Sequence, residues 1–489
     1  MDLVSKKPYT WLPHLENSLP KSARGYTVSL YSIALEAWRR GLELTFIQTK
    51  ASKSNSSYTL SDGKDTYRFS STRGERVTRE AIRTCVDKMK TKTRLLNAGV
   101  PTPKGKEFAE QDSEKIIVKY AEELGYPLVI KPVKGTGGKG VIANIGNKPQ
   151  LKRALKYVRQ ELDYPDIIVE EFFEGEDYRV YVLDGRAIAA TKRISANVIG
   201  DGKSTIKKLI KEKNKHRRDL ELYRTSLIKI DSEVGDMLER VNYTLDSVPA
   251  KDERVFLKSK NNITAGGDPV DSTDELPEEV KQIAVDAANA IPNLVQAGVD
   301  LMYNGEKATI IEINSRPNIR LNLFPLEGKA RDIPKEIVDY YFPNSKANQK
   351  SPLYFDFGPI WRKLKSGEVK EYKVPNLPKG NLKLTRFRIT GNIQRTGYGS
   401  WVKKHADQLG VSGYINHFRS GHTSLVICGT EEKIKQFKEV LQKDHSNKWT
   451  VKKISEKSRI TPVPIGFEIK NKKRDRSITD GYFPVRLKS

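Results

Sequence analysis

The chain has 489 residues, of which 37% are hydrophobic, and a formal net charge of +26. This length and composition predict several folded domains and exclude a wholly disordered chain. No apolar run of about 18 residues occurs, so we expect no membrane span, and the N-terminus lacks the apolar core of a signal peptide. The two cysteines, Cys85 and Cys428, lie far apart in the sequence, which favours a reducing cytoplasm over a disulfide framework.

Residues 1–86 are predicted to form a small α/β unit. An amphipathic stretch from Ile33 ends at Gly41, a good helix stop, and Leu42–Ile47 is typical of a strand. Asp62-Gly63 sits at the centre of a predicted hairpin.

Between residues 87 and 343, predicted helices and strands alternate. Ser113 should cap a helix that ends before Gly125, and Pro277 should open another. A short apolar strand ends at Lys131, directly before a glycine-rich loop. This alternation predicts an α/β or α+β domain.

The segment from Gly298 to Asn314 predicts a pair of strands around a turn at Asn304-Gly305. Such a hairpin would bring Asp300 close to Glu312. Asn314 is two residues beyond Glu312, so both side chains share one strand face. Three oxygen ligands on one surface indicate a site for a hard cation such as Mg²⁺, completed by phosphate oxygens.

Lys131 precedes a loop over residues 134–140 that has the composition of a phosphate cradle. Glycines let backbone N–H groups approach phosphate oxygens, and lysines supply charge. A glycine-rich loop alone is also typical of a hairpin turn, but the nearby lysine and the distant acidic ligands favour the phosphate interpretation. The cradle residues are Lys134, Gly135, Gly137 and Gly138.

The stretch from Val169 to Asp177 combines apolar residues with regularly placed carboxylates. It could line an adenine slot, with a carboxylate accepting hydrogen bonds from ribose hydroxyls. The residues taken alone favour an amphipathic strand with an exposed acidic end.

The basic character of the chain is concentrated in its C-terminal part. Residues 344–489 contain 31 Lys and Arg against 12 Asp and Glu, so they carry +19 of the total charge. Residues 344–382 are interpreted as a linker or wrapping segment, 383–455 as a compact unit and 456–489 as a basic tail. The charge predicts either a solvated basic surface or a site for an acidic polymer or acidic peptide.

Several of these motifs, in their order, resemble those of ATP-grasp ligases: Asp87-Lys88, Ile130-Lys131-Pro132, the loop 134–140, Glu170 to Asp177, and Asp300 with Glu312-Ile313-Asn314. Three further motifs are similar to those of cyanophycin synthetases and of the ATP-grasp half of the bifunctional glutamate–cysteine ligase/glutathione synthetase. They are 195–202, 245–251 and 261–267. The resemblance covers about residues 87–343.

The resemblance implies an enzyme in which a carboxylate attacks the γ-phosphate of ATP and an amine then displaces phosphate from the acyl phosphate. It assigns nucleotide binding to Lys88, Lys131, the loop from Lys134, Glu170, Glu171, Phe173 and Asp177. It assigns two Mg²⁺ ions, with Mn²⁺ as an alternative, to Asp300, Glu312 and Asn314. It makes Arg179, Lys192, Arg193 and Arg320 the candidates for contacting the acyl-phosphate oxygens; for each single arginine a surface salt bridge is an equal alternative.

Two departures from the family pattern restrict this assignment. Ser315-Arg316-Pro317-Asn318-Ile319 replaces small or apolar residues after the metal ligands, so the acceptor side of the pocket should differ. The chain has neither a glutamate–cysteine ligase module nor the C-terminal half of cyanophycin synthetase, so neither glutathione nor cyanophycin is assigned as product. We expect residues 195–275 to recognise the substrate.

The C-terminal unit resembles an acylphosphatase through Ile389 to Gly399 and Leu409 to Ile415. This implies a ferredoxin-like sandwich whose anion-binding loop is helped by Arg395. The family's catalytic arginine and asparagine should fall at Gly399 and His417. Because both are replaced, a docking module for an acidic partner is favoured over hydrolysis of stray acyl phosphate.

Overall we predict an α+β chain with an ATP-grasp fold, a small N-terminal α/β unit and a C-terminal ferredoxin-like domain. The favoured function is ATP- and Mg²⁺-dependent ligation of a small-molecule or peptide carboxylate to an amine. The alternatives are a non-catalytic protein that binds polyanions through its basic C-terminal module, and a nucleic-acid-binding enzyme supported only by charge. The relatives suggest a homo-oligomer.

Overall fold

The N-terminal unit is built on one buried helix, α2, packed against a small antiparallel sheet. The computed structural model describes residues 9–470 except 17, 49–56, 135–138, 221, 395, 419–421, 443–448 and 460. The turn at Asp62-Gly63 joins β3 and β4 as predicted, with Gly63 at φ 90°. The elements of this unit are β1 Tyr9–Thr10, α1 Pro13–Glu16, α2 Val28–Arg39, β2 Glu43–Ile47, β3 Ser57–Ser61, β4 Thr66–Ser70, β5 Arg73–Gly74, α3 Arg79–Val86 and α4 Lys88–Asn97.

A second unit follows, in which a four-stranded sheet carries helices on one face. The predicted helix after Ser113 is present, and the Ser113 Oγ accepts a hydrogen bond from the backbone N–H of Ile116 at 3.4 Å. The strands lie in the order β6-β9-β7-β8. The elements are β6 Gly105–Phe108, α5 Glu114–Leu124, β7 Leu128–Pro132, β8 Ile142–Ile145, α6 Lys148–Lys156 and β9 Ile167–Glu171.

The central unit is a five-stranded antiparallel sheet in the order β14-β11-β10-β15-β16. A small lobe with its own apolar core, formed by β12, α7, α8 and β13, is inserted between two of its strands. The elements are β10 Glu176–Leu183, β11 Arg186–Ile194, β12 Asn197–Ile199, α7 Ile206–Asp219, α8 Ser232–Glu239, β13 Arg254–Phe256, β14 Asp268–Asp271, α9 Glu278–Asn289, β15 Gln296–Tyr303, β16 Ala308–Asn314, α10 Arg320–Leu323, β17 Gly328–Lys329 and α11 Ile333–Tyr341.

The two faces of the central sheet have different neighbours because strand side chains alternate. Val180 and Val299 point to the face that packs against α9. Tyr181 and Leu183 point to the opposite face and join the core of the N-terminal unit. Arg179 and Asp300 lie on this second face, which we call the site face.

Residues 344–382, expected to be a linker or wrapping segment, contribute to the N-terminal unit. Phe355 and Phe357 are buried in its core, and β19 pairs with β2 at the edge of its sheet. The sequence suggested a linker because its Pro, Lys, Asn and Ser content masked a few buried aromatic residues. Its elements are β18 Leu353–Tyr354, α12 Phe357–Ser366 and β19 Glu371–Lys373.

The C-terminal unit has the strand–helix–strand–strand–helix–strand order of a ferredoxin-like fold. Its sheet runs β23-β20-β22-β21-β25, with α13 and α14 on one face. Leu384, Val426 and Cys428 on the other face pack against the N-terminal unit. The elements are β20 Lys383–Asn392, α13 Tyr398–Leu409, β21 Ser412–His417, β22 Thr423–Gly429, α14 Glu431–Gln442, β23 Thr450–Ser458, β24 Val463–Pro464 and β25 Phe467–Lys470.

The strand β25 changes the expected boundary of the C-terminal unit. It pairs in parallel with β21, so regular structure continues to Lys470 and does not end at residue 455. The most basic part of the predicted tail, residues 471–489, lies outside the described residues. Among the residues described, every helix is too short or too polar to cross a membrane.

Candidate active site

The predicted hairpin of oxygen ligands is present on the site face. Asp300 in β15 is the register partner of Glu312 in β16, and Gly298 is the partner of Asn314. Partners directly opposite in antiparallel strands have side chains on one face, about 5 Å apart at Cβ. The structure therefore brings Asp300, Glu312 and Asn314 together, and a bulge at Ile311 is what turns Glu312 and Asn314 to the face of Asp300.

Two arginines engage the buried carboxylate of Asp300, which is only 6% exposed. Arg179 donates from Nε to Oδ1 at 2.6 Å and from Nη2 to Oδ2 at 2.7 Å. Arg193 adds a longer bond to Oδ2 at 3.4 Å. Burial alone would raise the pKa of Asp300, but the two guanidinium groups outweigh it and lower that pKa. Asp300 is therefore held ionised.

Asp177 shares Arg193 with Asp300 but has a different electrostatic balance. The Asp177 Oδ1 accepts hydrogen bonds from Arg193 Nε at 3.0 Å and Nη2 at 2.5 Å. Burial raises the pKa of Asp177, and the neighbouring charge of Asp300 adds to that effect against the attraction of Arg193. Two carboxylates and two guanidinium groups thus form one connected network on the site face.

Lys192 does not join this network, although it was predicted, together with Arg193, to contact the acyl-phosphate oxygens. Tyr178 is the register partner of Lys192, so Lys192 lies on the face that packs against α9. There its Nζ pairs with Glu176 and lies 6.0 Å from the Tyr178 ring centroid. The reason is the alternation of a strand, which sends residues 192 and 193 to opposite faces.

A second charged cluster lies in the four-stranded sheet and is centred on Glu170, which is 3% exposed. Lys131 Nζ is 2.5 Å from Glu170 Oε1, and Lys92 Nζ is 2.8 Å from Oε2. Burial alone would raise the pKa of Glu170, but the two lysines outweigh it and lower that pKa. Glu170 therefore pairs with the lysine predicted to hold phosphate.

Lys92 was missed from the sequence although a signal was available. It follows Lys88 by four residues in α4, so the two side chains share one helix face. The side chain of Asp87 caps this helix by accepting from the backbone N–H groups of Met89 and Lys90 at 3.1 and 3.0 Å. This cap places Lys88 at the first helical position.

Lys88 links the two clusters. Its Nζ donates to the backbone oxygen of Pro132 at 2.8 Å. Burial lowers the pKa of Lys88, Lys131 lowers it further, and Glu312 and Glu170 act in the opposite direction. Lys88 is thus hydrogen-bonded beside the predicted phosphate lysine, and its helix α4 contacts β16, which carries the predicted metal ligand Glu312.

The remaining predicted nucleotide residues lie around this cluster. Lys134 is exposed at the start of the glycine-rich loop, whereas Gly135, Gly137 and Gly138 lie outside the described residues. Glu171 accepts a hydrogen bond from the backbone N–H of Lys104 at 2.9 Å. Phe173 is half-buried in the short connection between β9 and β10, where the chain passes from one sheet to the other.

Arg320, at the start of α10, is buried and has no carboxylate partner among the described residues. Its Nη1 donates weakly to the backbone oxygen of Leu222 at 3.4 Å, and its guanidinium lies 5.7 Å from the Tyr223 ring centroid. The Nε atom is buried without a hydrogen-bond partner. Asn322, two residues further on, donates to Thr191 Oγ1 at 2.8 Å, which anchors α10 to the site face.

The oxygen donors fit a hard divalent cation. Glu312 is exposed and Asn314 is half-buried, and neither side chain has a hydrogen-bond or ion-pair partner within the described part of the chain. Over that same part, no three or more His, Cys, Asp or Glu residues cluster in a way that could hold a metal. A site here would therefore depend on two carboxylates, an amide oxygen and oxygens from a ligand, which is a donor set that Mg²⁺ accepts.

The loop of the C-terminal unit lacks the side chains that the resemblance requires. Gly399 is buried at the start of α13, and a Cβ at this position would lie 3.1 Å from His417 Nε2. The His417 Nδ1 is 2.7 Å from Thr423 Oγ1, which fixes the ring in place. Arg395 lies outside the described residues. The imidazole thus faces the position of the missing arginine side chain.

Comparison with known families recognises two domains in the chain. Residues 85–319 match the ATP-grasp domain family, and residues 385–469 match the acylphosphatase family. These matches confirm the predicted α+β fold class with its two recognised domains.

Among curated proteins, the chain is similar to cyanophycin synthetase of Synechocystis sp., at 34% identity over 53% of this chain and 30% of the relative. It is also similar to the glutathione biosynthesis bifunctional protein GshAB of Desulfotalea psychrophila, at 32% identity over 52% of this chain and 33% of the relative. The matched part thus spans about a third of each relative. A solved bifunctional glutathione synthetase from Pasteurella multocida aligns with 28% identity and a TM-score of 0.48, covering 61% of this chain and 41% of that one.

Proposed function

We propose that this chain, which carries an ATP-grasp domain followed by an acylphosphatase domain, is an ATP-dependent carboxylate–amine ligase. It would form an amide or peptide bond through an acyl phosphate, with amino-acid or peptide substrates. The observation that carries the proposal is the position of Lys88: its Nζ donates to Pro132, next to Lys131, and its helix α4 contacts β16, which carries Glu312. Phosphate-binding charge and metal-binding oxygen are therefore at one place.

The lysines would hold the nucleotide phosphates. Lys131 and Lys92 share the single counter-ion Glu170, so this buried cluster keeps one uncompensated positive charge for a phosphate oxygen. The Nζ of Lys88 donates to a backbone oxygen, and a phosphate oxygen can replace that oxygen as the acceptor. The loop that begins at Lys134 would close over the phosphates.

Asp300, Glu312 and Asn314 would hold the divalent metal, for which we propose two Mg²⁺ ions that Mn²⁺ could replace. When bound, the metal would neutralise charge between the β- and γ-phosphates. Arg179 keeps Asp300 ionised and correctly oriented through two parallel hydrogen bonds. Arg179 and Arg193 therefore act on the site by positioning its carboxylates.

Arg320 is a better candidate for contact with the reacting phosphoryl group. Its guanidinium is buried near the site face, and one of its donors is unused. Fixed positive charge in a poorly solvated position stabilises a developing anion more strongly than a flexible surface charge does. Glu170, Glu171, Phe173 and Asp177 remain proposals for the base and ribose, with Phe173 lying between the two sheets.

The location and assembly state are also proposals. Both cysteines are free, which supports a reducing cytoplasm. A homo-oligomer is suggested by the resemblance alone. Binding of an acidic polymer by the C-terminal domain has only its positive charge as support.

The test is release of ADP from Mg²⁺-ATP with pooled carboxylates and pooled amines, followed by mass analysis of the product. We expect release to require one carboxylate and one amine together, and to yield their amide. Glu312→Gln should abolish release, while Glu306→Gln in the exposed turn of the same hairpin should preserve it. Release that is undiminished in Glu312→Gln would contradict the metal assignment, and release without an amide product would contradict the ligase.

A further inference from the structure

The sheet of the C-terminal unit carries helices on one face and a group of cations on the other. Arg386 in β20 is the register partner of Lys457 in β23, and Thr390 is the partner of Lys453. Arg388 lies between Arg386 and Thr390 on the same face of β20. Neighbouring side chains on such a face are about 5 Å apart across the strands and about 7 Å apart along them. Arg386, Arg388, Lys453 and Lys457 therefore form one group, which we call the basic face.

The basic face lacks the ion pairing that is present on the helix-bearing face. Three of its side chains are exposed, and Arg386 is half-buried. In the part of the chain that the structure describes, no carboxylate forms an ion pair with any of the four. Glu456 of β23 points to the helix-bearing face, where it pairs with Lys438 of α14 at 2.7 Å. Because Arg386 and Lys457 are like charges placed directly opposite each other, an anion bound beside them would stabilise this face.

Protection of a free sheet edge does not account for the whole basic face. Lysines on an edge strand often serve to prevent pairing with other sheets, and β23 is the first strand in the sheet order. The two arginines, however, lie on β20, the next strand inward. Glu468 is the acidic residue of the same face within the described strands, and it lies on β25 at the opposite edge. Positive charge is thus concentrated beside the β23 edge.

The strand β23 also offers a backbone edge for pairing. It extends over the nine residues Thr450–Ser458, and among the described strands it pairs with β20 alone. An extended peptide can therefore add to its outer side through main-chain hydrogen bonds. Such a peptide would place every second side chain next to Lys453 and Lys457. Carboxylates at those alternate positions would lie against the basic face.

An acidic peptide suits this surface better than a single-stranded nucleic acid does. A nucleic acid has no main chain that can pair with a strand edge, and proteins that bind single strands stack the bases on aromatic side chains. Tyr414 is the aromatic residue of this face within the described strands, and Lys470 Nζ covers it at 3.5 Å from the ring centroid. The Arg459 guanidinium lies 5.9 Å from the same centroid. The surface thus supplies charge and a strand edge without a stacking platform.

We propose that the basic face and the outer edge of β23 bind an extended acidic peptide as an additional strand of the sheet, with carboxylates at alternate residues of that peptide. A partner molecule is the source of the peptide, because residues 471–489 of this chain carry more Lys and Arg than Asp and Glu. This docking site goes beyond the proposed ligase reaction and requires none of its steps.

The experiment is fluorescence anisotropy of the full chain with a labelled peptide of alternating Thr and Glu, about as long as β23. We expect saturable binding that weakens as salt is added, because exposed charges are screened. The double variant Arg388→Gln with Lys453→Gln should bind about tenfold more weakly, since two charge-assisted contacts are lost.

The matched control is the double variant Lys404→Gln with Lys435→Gln. It removes the same charge from exposed positions on α13 and α14, which lie on the other face of the sheet, and should change the affinity by less than about twofold. All four substituted side chains are exposed, so both double variants should fold.

Two modified peptides test the backbone pairing separately. One carries N-methyl groups on its Glu residues and the other carries them on its Thr residues. In an extended strand the N–H groups of alternate residues point to opposite sides. We therefore expect one of the two peptides to lose binding and the other to keep it, whereas a purely electrostatic contact would affect both alike.

Four results would overturn the proposal. They are failure of the acidic peptide to bind, equal losses of affinity in the two double variants, equal affinities of the two methylated peptides, and tighter binding of an oligouridine of similar length that Arg388→Gln with Lys453→Gln weakens. The last result would assign the basic face to nucleic acid. Peptide binding without any ADP release would instead contradict only the ligase.

Discussion

The ATP-grasp and acylphosphatase-like domains differ in the side chains found at the positions where their sites are expected. On the site face of the first domain, Asp300 and Glu312 are register partners, and two arginines hold Asp300. In the second domain, Gly399 and His417 occupy the positions expected for an arginine and an asparagine. The contrast illustrates why function is argued from the side chains of a site and not from the fold alone.

The two domains differ in how their buried ionisable side chains are compensated. Each buried carboxylate of the first has a cation within hydrogen-bond distance, as Glu170 has with Lys92 and Lys131. In the second, burial lowers the pKa of His417, which favours the neutral imidazole. Neither a neutral ring nor a glycine supplies positive charge, so charge for an acyl phosphate would have to come from other residues.

The largest expected effect is a loss of activity, and it should separate the contribution of the predicted metal-ligand hairpin to catalysis from its contribution to stability. Glu312→Gln should reduce ADP formation by about a thousandfold or more, because metal-assisted charge neutralisation is lost. Its stability should change by less than about 0.5 kcal/mol, since Glu312 is exposed. Asp300→Asn should lose activity and also about 3 kcal/mol or more of stability, since it leaves buried arginines without a counter-ion.

Urea unfolding and ADP release, measured on both variants, check this difference. An equal loss of stability in Glu312→Gln and Asp300→Asn would show that the network around Asp300 is not what stabilises the site face.

A second comparison uses neighbours on one strand. Arg193→Gln should lower kcat/KM for ADP release by about a hundredfold, the order found when a fixed electrostatic contact is removed. Lys192→Gln should change it by less than about threefold, because that side chain lies on the other face of the sheet. Steady-state kinetics of the two variants test this prediction. A larger fall in kcat/KM for Lys192→Gln than for Arg193→Gln would contradict the assignment of the two side chains to opposite faces of the sheet.

The third prediction concerns the acylphosphatase domain. The wild-type chain should not hydrolyse a small aryl acyl phosphate above background. Gly399→Arg alone should destabilise the protein by about 1–3 kcal/mol, because the new side chain meets the fixed His417 ring. Adding His417→Asn should restore part of that stability.

Urea midpoints of the single and double variants, with a phosphate-release assay, test this prediction. Robust hydrolysis by the wild-type chain would contradict the expectation that this domain does not hydrolyse acyl phosphates.

The smallest predicted effect is a pH dependence from Glu170. Its folded-state pKa is lowered, so it stabilises the fold above its ordinary pKa of roughly 4.3, and this contribution is lost as pH falls through the folded-state value. Between about pH 5 and pH 3, the wild-type protein should therefore lose more unfolding free energy than Glu170→Gln. Urea titrations at the two pH values provide the measurement, and a steeper loss in the variant would contradict the sign.

The sequence predicted local features of the site well and long-range ones poorly. The turn near Asn304-Gly305 predicted the hairpin, but Glu312 lies opposite Asp300 only because of the bulge at Ile311, which strict strand alternation does not predict. The same alternation should have separated Lys192 from Arg193. The four-residue spacing of Lys88 and Lys92 in α4 could have predicted that the two lysines lie side by side.

Other contacts depend on residues far apart in the chain. The pairing of Thr72 with Pro317 joins residues separated by 245 positions, and no local pattern predicts such a contact. The same holds for β19, which completes a sheet whose other strands precede residue 75. Strand order and domain contacts arise from packing of the whole chain, which periodicity does not reveal.

The most direct test of the account is equilibrium binding of a non-hydrolysable ATP analogue with and without Mg²⁺. We predict that Mg²⁺ tightens binding in the wild-type protein and in Glu306→Gln, and that Glu312→Gln removes this gain of about tenfold or more. Nucleotide binding that ignores Mg²⁺, or a Mg²⁺ gain that persists in Glu312→Gln, would contradict the claim that the site face retains its chemistry.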